Sequence, residues 1–237
     1  MSRLQPRPAR DLAELILGYG LIVGILWTPE PLQRFLAPIA LVATFLVVVL
    51  PRRSNDRRSN DVRSEDVRPE DAPQPNVPLG FGTRGLVASL WILPAALALA
   101  ALSMFAAAKA GTLHTLYKGD FRHVTGYLLW TTYQQFLLQD YFMPRALRLL
   151  SSEAAGIAVT AVLFAVAHLP NLALTAATLV WGAVSCVLFR RYRNLYALGL
   201  AQGLLGLCFA VCVPDTLSHH LRVGLGYLRY HATPPAP

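Results

Sequence analysis

Charged residues are scarce in this sequence. Asp, Glu, Lys and Arg together make up 14% of its 237 residues, whereas 54% are hydrophobic. This balance excludes a single soluble domain, because a chain this apolar has too few polar side chains to cover one core. The composition is instead typical of a polytopic membrane protein.

Cysteine is also scarce, with three residues in the whole chain. Cys186, Cys208 and Cys212 all fall within hydrophobic runs, where a cysteine usually packs as a small apolar side chain. Cys208 and Cys212 are four residues apart, yet no His or acidic residue accompanies them in a ligand pattern. We therefore predict neither a cysteine-based metal centre nor a redox role.

Long hydrophobic runs, in contrast, occupy most of the chain. Most of them approach the roughly 20 residues that a helix needs to cross a bilayer. They predict an all-α fold, a polytopic membrane helix bundle with about seven transmembrane helices. The runs cover approximately residues 12–28, 35–50, 86–108, 124–143, 156–169, 172–189 and 195–212.

The basic residues lie at the ends of these runs. If the N-terminus is cytoplasmic, fifteen of the 21 Lys and Arg residues fall in cytoplasmic segments. This asymmetry predicts an integral membrane protein with a cytoplasmic N-terminus and an outside C-terminus. The alternative is that residues 217–231 re-enter the membrane, which would reverse the side of the C-terminus. The asymmetry also explains the formal charge of +8 without a nucleic-acid partner, since the basic residues do not gather on one soluble face.

One long polar insertion divides the hydrophobic part of the chain. It contains four tandem pentapeptides between Arg52 and Asp71, RRSND, RRSND, VRSED and VRPED, followed by a Pro-rich stretch. Such a segment buries too little apolar area to offset its ordering entropy, so we expect a disordered cytoplasmic linker, with partner docking as the alternative. The predicted regions are a two-helix membrane hairpin at 1–50, the linker at 51–85, a five-helix membrane core at 86–212 and a polar C-terminal tail at 213–237.

Polar side chains interrupt three of the core runs. Gln134, Gln135 and Gln139 lie in one run, His168 ends the next, and Gln202 lies in the last. Lipid cannot satisfy these groups, so we expect them to meet inside the bundle. They either form a hydrogen-bonded cluster that holds the helices together or line a functional pocket, and the sequence leaves both readings open.

At these residues the sequence resembles the CPBP family (CAAX protease and bacteriocin-processing). That family carries Glu-Glu-x-x-x-Arg on one helix, Phe-x-x-x-His on the next, and His-x-x-x-Asn or a variant on a later one. The second motif is intact as Phe164 and His168, with Asn171 in the Leu-Pro-Asn tail that often follows it. The first motif is matched in position and spacing by Gln134, Gln135 and Gln139, and the third is matched in position only, by Gln202 and Gly206.

The resemblance covers roughly residues 122–212 and makes 86–212 a CPBP-like core. It implies an intramembrane endopeptidase of the type II CAAX prenyl protease kind, in a bacterial plasma membrane, with a lipidated or transmembrane peptide as its substrate. The implied catalytic positions are Gln134, Gln135, His168 and Gln202. The implied pocket positions are Gln139, Phe164, Asn171 and Gly206.

The chemistry of this site departs from that of the family. An amide cannot accept a proton as a carboxylate or an imidazole does, so His168 is the one general base among the motif residues. Zinc has been proposed for the family, but a catalytic zinc site generally offers three His, Cys or carboxylate ligands. We therefore predict no metal and no other cofactor.

Three functions follow from these features. The first is an endopeptidase that uses His168 as its base and glutamine amides to position water. The second is a catalytically inactive relative that binds a membrane partner in an immunity or regulatory role. The third is a transporter, which ranks last because the two halves of the chain show no repeated or broken-helix pattern.

Overall fold

The computed structural model describes residues 8–29, 31–46, 79–83, 85–116 and 119–230. Within these ranges the chain forms helices, turns and irregular segments, and no residue of them lies in a β-strand. The predicted all-α class is therefore confirmed. The pentapeptide repeats lie outside the described residues, as do the N-terminal arm and the end of the predicted tail.

The described residues form eleven α-helices. Their bounds are α1 Pro8–Leu26, α2 Pro31–Leu46, α3 Leu86–Ser89, α4 Ile92–Ala110, α5 Phe121–Phe136, α6 Met143–Leu149, α7 Glu153–Val166, α8 Leu172–Tyr192, α9 Leu195–Cys212, α10 Asp215–Ser218 and α11 Gly224–Leu228. A π-helical segment, Leu137–Phe142, joins α5 to α6, and a short 3-10 turn, His219–Leu221, follows α10.

Three stretches of the described chain are long and apolar enough to cross a membrane: Leu86–Ala110, Leu172–Tyr192 and Leu195–Cys212. The helices α2 and α7 are apolar but shorter. Large apolar side chains point outward from this bundle, and Leu102, Phe105 and Val180 are each more than 60% exposed. A surface of this kind suits lipid rather than water, which agrees with the predicted membrane bundle. The number of crossings and the side of each terminus stay predictions.

Close approach between α5 and α9 brings the polar positions of these two helices together. Gly199 of α9 lies against α5, and a Cβ atom built on it would come within 2.7 Å of the Cα of Thr132. The hydroxyl of Thr131 donates to the carbonyl oxygen of Gly199 at 3.0 Å. Small residues allow this kind of contact between membrane helices. Gln202, one turn after Gly199, consequently faces the glutamines of α5.

The π-helical segment carries the chain past a proline. Pro144 has no N–H to donate, and its ring crowds the carbonyl four residues earlier. The helix widens here, and the N–H of Met143 bonds to the carbonyl of Leu138, five residues back. The wider turn lets α5 continue into α6 without a break and places Gln139 and Asp140 inside the bundle, where they are 0% and 2% exposed.

Ion pairs join α1 to α6. The guanidinium of Arg145 donates to Glu14 Oε2 at 2.7 Å, and that of Arg148 donates to Asp11 Oδ1 at 2.5 Å. The hydroxyl of Tyr141 also donates to the backbone carbonyl of Glu14 at 2.6 Å. The hydrogen bond from Arg148 lowers the pKa of Asp11 below its usual value. These contacts hold the N-terminal helix against the core.

The end of the predicted linker packs on the core. The N–H of Gly80 donates to the Asp140 carboxylate at 3.2 Å, and the carbonyl of Gly80 accepts from the N–H of Leu195 at 2.8 Å. Gly80 itself is buried, with Phe189 and Leu195 close to it. Residues 79–83 thereby connect the buried carboxylate beside Gln139 to the start of α9.

The segment that follows α9, which the sequence assigns to a polar tail, contains α10, the 3-10 turn and α11. It contacts the turn between α7 and α8, where the N–H of Gly224 donates to the carbonyl of Leu169 at 2.9 Å. The side-chain amide of Asn171 donates to the carbonyl of Ser218 at 2.7 Å. These bonds fix the described part of the tail beside the turn that carries His168.

Candidate functional site

Four glutamines form one continuous line of hydrogen bonds. Gln139 Nε2 donates to Gln135 Oε1 at 3.1 Å, and Gln135 Nε2 donates to Gln202 Oε1 at 2.5 Å. Gln202 Nε2 then donates to Gln134 Oε1 at 2.5 Å. We call these four residues the amide chain. The structure thus brings together all four glutamines that the sequence singles out.

Helix spacing and close packing explain this geometry. Gln135 and Gln139 are one helical turn apart, so their side chains lie on the same face. Gln134 precedes Gln135 in sequence, so its side chain leaves α5 in a different direction and bonds to the other end of the Gln202 amide. The contact between α5 and Gly199 shortens the distance to α9 enough for direct bonds, without an intervening group.

A further helix, α8, supplies two partners that the sequence analysis missed. The indole N–H of Trp181 donates to Gln202 Oε1 at 3.0 Å, and Gln139 Nε2 donates to the hydroxyl of Ser185 at 3.2 Å. Ser185 in turn donates to the carbonyl of Gly182 at 3.1 Å. The available signal was that Trp181 and Ser185 are four residues apart, hence on one face of an otherwise apolar helix.

The two ends of the amide chain differ in burial. Gln135 and Gln139 are 0% exposed and Gln202 is 9% exposed, whereas Gln134 is only partly buried. At the buried end, Gln139 Oε1 has no hydrogen-bond partner among the described residues. At the other end, the –NH2 group of Gln134 has no hydrogen-bond partner among the residues that the structure describes. The amide chain therefore begins with a buried acceptor and ends with an accessible donor.

His168 lies in the turn after α7. Its Nδ1 donates to the carbonyl oxygen of Phe164 at 2.7 Å, because that oxygen can only accept. Its ring meets the Phe164 ring edge to face, with centroids 4.9 Å apart. Nε2 is consequently the ring nitrogen left to accept a proton. No hydrogen bond joins His168 to the amide chain within the described residues.

Asn171 and Gly206 have structural contacts. Asn171 is 0% exposed and caps α8 by accepting from the N–H of Leu174 at 3.1 Å, while its amide group holds the segment after α9. Gly206 lies against the hydroxyl of Tyr127, which occupies the space of a Cβ atom. Neither residue contributes a hydrogen bond to the amide chain in the described structure.

The donor set does not suit zinc. Carboxamide groups bind zinc poorly compared with imidazole, thiolate and carboxylate, and His168 is the one motif residue of those types. Among the described residues, no three His, Cys, Asp or Glu side chains are grouped so that they hold a metal ion. The motif residues therefore offer neutral amide donors and acceptors at the glutamine positions and one imidazole at His168.

The fold and the site together define an α-helical integral membrane protein with a neutral polar site between its helices. Residues 124–208 match the family model described as type II CAAX prenyl endopeptidase Rce1-like. This match confirms the resemblance to the CPBP family over residues 124–208, which contain the amide chain and His168. The match leaves α1 to α4 outside it. No curated protein and no solved structure matches the chain.

Proposed function

We propose that this protein binds a lipidated or membrane-embedded peptide at its Rce1-like domain, without the glutamate-based hydrolysis that the family implies. The observation that carries this proposal is the amide chain itself. Gln202 bonds directly to both Gln134 and Gln135, and all three lie at the catalytic positions implied by the family motifs. A neutral amide neither accepts a proton nor activates water at the pH of a cell.

Stability favours this arrangement over charged side chains. An ionised residue at the centre of a membrane helix costs about 2.5 to 3.5 kcal/mol on insertion scales, and a hydrogen bond between membrane helices returns roughly 0.6 to 2 kcal/mol. A protein that binds without hydrolysis gains from amides at these positions. Binding an immunity or regulatory partner is the role that best fits such a domain.

A slow endopeptidase is the second candidate, and the geometry of His168 favours it. The bond from Nδ1 to the Phe164 carbonyl orients the ring and leaves Nε2 as a proton acceptor. In this mechanism His168 takes a proton from water while the water oxygen adds to the peptide carbonyl carbon, with amide groups holding both. The C–N bond then breaks as His168 returns the proton to the leaving amine. His168 is the one base at the motif positions, and no carboxylate lies at them. We therefore expect hydrolysis to be much slower than at a glutamate-based site.

A combined binding and cleavage assay separates the two candidates. The protein is reconstituted in liposomes with a farnesylated peptide or a transmembrane peptide, each carrying a photo-crosslinker, and cleavage is followed by mass spectrometry. We expect crosslinking without cleavage. Gln134→Ala should reduce crosslinking, whereas the control Gln33→Ala, a glutamine on α2, should leave it unchanged.

Cleavage by the wild type that disappears in His168→Ala would establish the endopeptidase and contradict the binding proposal. Cleavage that appears only in the triple variant Gln134→Glu, Gln135→Glu, Gln202→His would support the binding proposal. In that case the domain hydrolyses a peptide only after ionisable groups are placed at the motif positions. Failure of both peptides to crosslink would refute peptide binding at this site.

A further inference from the structure

The amide chain has a direction, and Trp181 sets that direction at Gln202, while Ser185 holds Gln139 in the same sense. An amide side chain offers a carbonyl oxygen on one side and an –NH2 group on the other, so a line of amides can run either way. An indole N–H, in contrast, can only donate. Because Trp181 Nε1 lies 3.0 Å from Gln202, the atom it meets must be the oxygen Oε1.

The assignment of Gln202 Oε1 determines which end, oxygen or –NH2, each of the other amides presents to its neighbour. With Gln202 Oε1 accepting from Trp181, Gln135 must also donate to that oxygen through Nε2, which fills both of its lone pairs. Gln135 Oε1 then faces the π-helical segment and accepts from Gln139. On the other side, Gln202 presents Nε2 and donates to Gln134 Oε1.

The consequence appears at the accessible end of the line. Gln134 uses its oxygen for Gln202, so the group left over is –NH2, a hydrogen-bond donor. Each amide in such a line polarises the next, which strengthens the donor at its end. The buried end, Gln139 Oε1, is enclosed and 0% exposed, so Gln134 is the end that a ligand meets.

We propose that Trp181 is a positioning residue that fixes the direction of the amide chain, so that the site presents the –NH2 group of Gln134 and recognises a carbonyl oxygen of a membrane-embedded ligand. The recognition half of this proposal rests on the proposed binding function, whereas the role of Trp181 does not. A carbonyl oxygen of this kind comes either from a peptide group or from the ester of a phospholipid.

A double-mutant cycle tests the role of Trp181 without any ligand. In Gln135→Glu the ionised carboxylate faces Gln202 Oε1, which cannot turn away while Trp181 donates to it. The melting temperature of this variant should fall, and it should fall further as rising pH ionises the carboxyl group. In the Trp181→Phe background Gln202 is free to rotate and donate, so the same substitution should lower the melting temperature less.

Matched controls keep this cycle interpretable. Trp91 also donates its indole N–H, to the hydroxyl of Tyr192 at 3.0 Å, and within the described residues it has no hydrogen bond to the amide chain. The background Trp91→Phe should leave the effect of Gln135→Glu unchanged. Additive effects of Trp181→Phe and Gln135→Glu, with the same pH profile in both backgrounds, would overturn the proposed role of Trp181.

A second variant serves if Gln135→Glu does not fold. Gln202→Glu keeps an acceptor for both Trp181 and Gln135, and Gln134 can rotate to donate to its other oxygen. The directed chain therefore predicts that Gln202→Glu retains more thermal stability than Gln135→Glu. The opposite order, or a failure of both variants to fold, would contradict the direction inferred from Trp181.

The ligand is tested through the side-chain resonance of Gln134. Protein labelled with 15N in its glutamine side chains is reconstituted in ester-linked or in ether-linked phosphatidylcholine, with and without a leucine-rich transmembrane peptide. The Gln134 signal is assigned by its loss in Gln134→Glu. A shift on addition of the peptide identifies a peptide carbonyl, and a shift between ester and ether lipid identifies a lipid carbonyl.

Identical Gln134 spectra in all four preparations would overturn the recognition of a carbonyl oxygen. That result is distinguishable from failure of the proposed function, because crosslinking of the farnesylated or transmembrane peptide is measured separately. If the double-mutant cycle shows coupling but the Gln134 signal does not shift, the role of Trp181 in directing the amide chain is supported. The recognition of a carbonyl oxygen is then rejected.

Discussion

Individual side chains determine how firmly α1 is held against the core. The carboxylate of Glu14 accepts two hydrogen bonds from Arg145, whose side chain is 10% exposed. The same guanidinium lies over the ring of Tyr141, 3.8 Å from its centroid. Loss of the carboxylate would leave a largely buried cation without its charge partner, which is costly in a protein interior.

We therefore expect Glu14→Ala to lower the free energy of unfolding by about 1.5 to 3 kcal/mol, the usual range for hydrogen bonds to charged groups. The measurement is thermal unfolding of the purified protein in detergent. Glu153→Ala is the matched control, because its bond to Arg190 lies at an exposed site and should contribute no more than about 1 kcal/mol. Equal losses in the two variants would contradict the buried role of Arg145.

The sequence predicts that the buried glutamines meet, but it does not predict the partners that α8 supplies to them. Lipid offers nothing to a buried amide, and that fact alone predicts that Gln134, Gln135 and Gln202 meet. Trp181 is different, since tryptophan is common in membrane helices for reasons unrelated to a site. Only the three-dimensional packing of α8 shows that its N–H contacts Gln202.

At the scale of the helices, the contact between α5 and α9 depends on Gly199. A Cβ atom at this position would meet the backbone of Thr132 as well as its side chain. The backbone cannot rotate away as a side chain can, so the two helices would have to separate. Separation would also lengthen the bonds from Gln202 to Gln134 and Gln135.

We expect Gly199→Ala to destabilise the protein by about 1 to 3 kcal/mol, the typical cost of overpacking. Gly126→Ala provides the comparison, because no atom lies within 4 Å of a Cβ built there. Gly126 is also in a helix, where alanine is usually better than glycine by about 0.5 to 1 kcal/mol. Unfolding measured for both variants should thus give opposite signs, and a gain in stability for both would argue against the close contact.

Hydropathy predicts the helices more reliably than their interruptions. The run at 124–143 appears as one helix in the sequence, yet in the structure it comprises α5 and a π-helical segment that lead into α6. Pro144 signals a disturbance, but a proline can end, kink or widen a helix. The choice depends on neighbouring contacts such as those of Asp140 with Gly80, which no local pattern contains.

For the molecule as a whole, the distribution of arginine predicts the orientation in the membrane. Arg145 and Arg148 bind α1 near its start, so the N-terminal end of α1 and the end of α6 lie on the same side. The prediction that both ends are cytoplasmic requires this shared side. The segment from 213 onward is predicted to lie on the opposite side.

Reporter fusions check this orientation. Alkaline phosphatase, which is active only outside the cytoplasm, should be inactive when fused after residue 78 and active when fused after residue 230. A green fluorescent protein fusion at the same positions is the reciprocal control, since it should fluoresce only at the first. Phosphatase activity at residue 78 would reverse the predicted topology.

The contacts of α11 have a consequence for the order in which the protein is built. Gly224 lies against the carbonyl of Leu26 at the end of α1 and donates to Leu169 beside His168. The first and last helices of the described chain thus meet at the same turn. During synthesis this turn stays open until residues 224–228 have left the ribosome, so a truncated product that lacks α11 would insert into the membrane without the contacts of Gly224 beside His168.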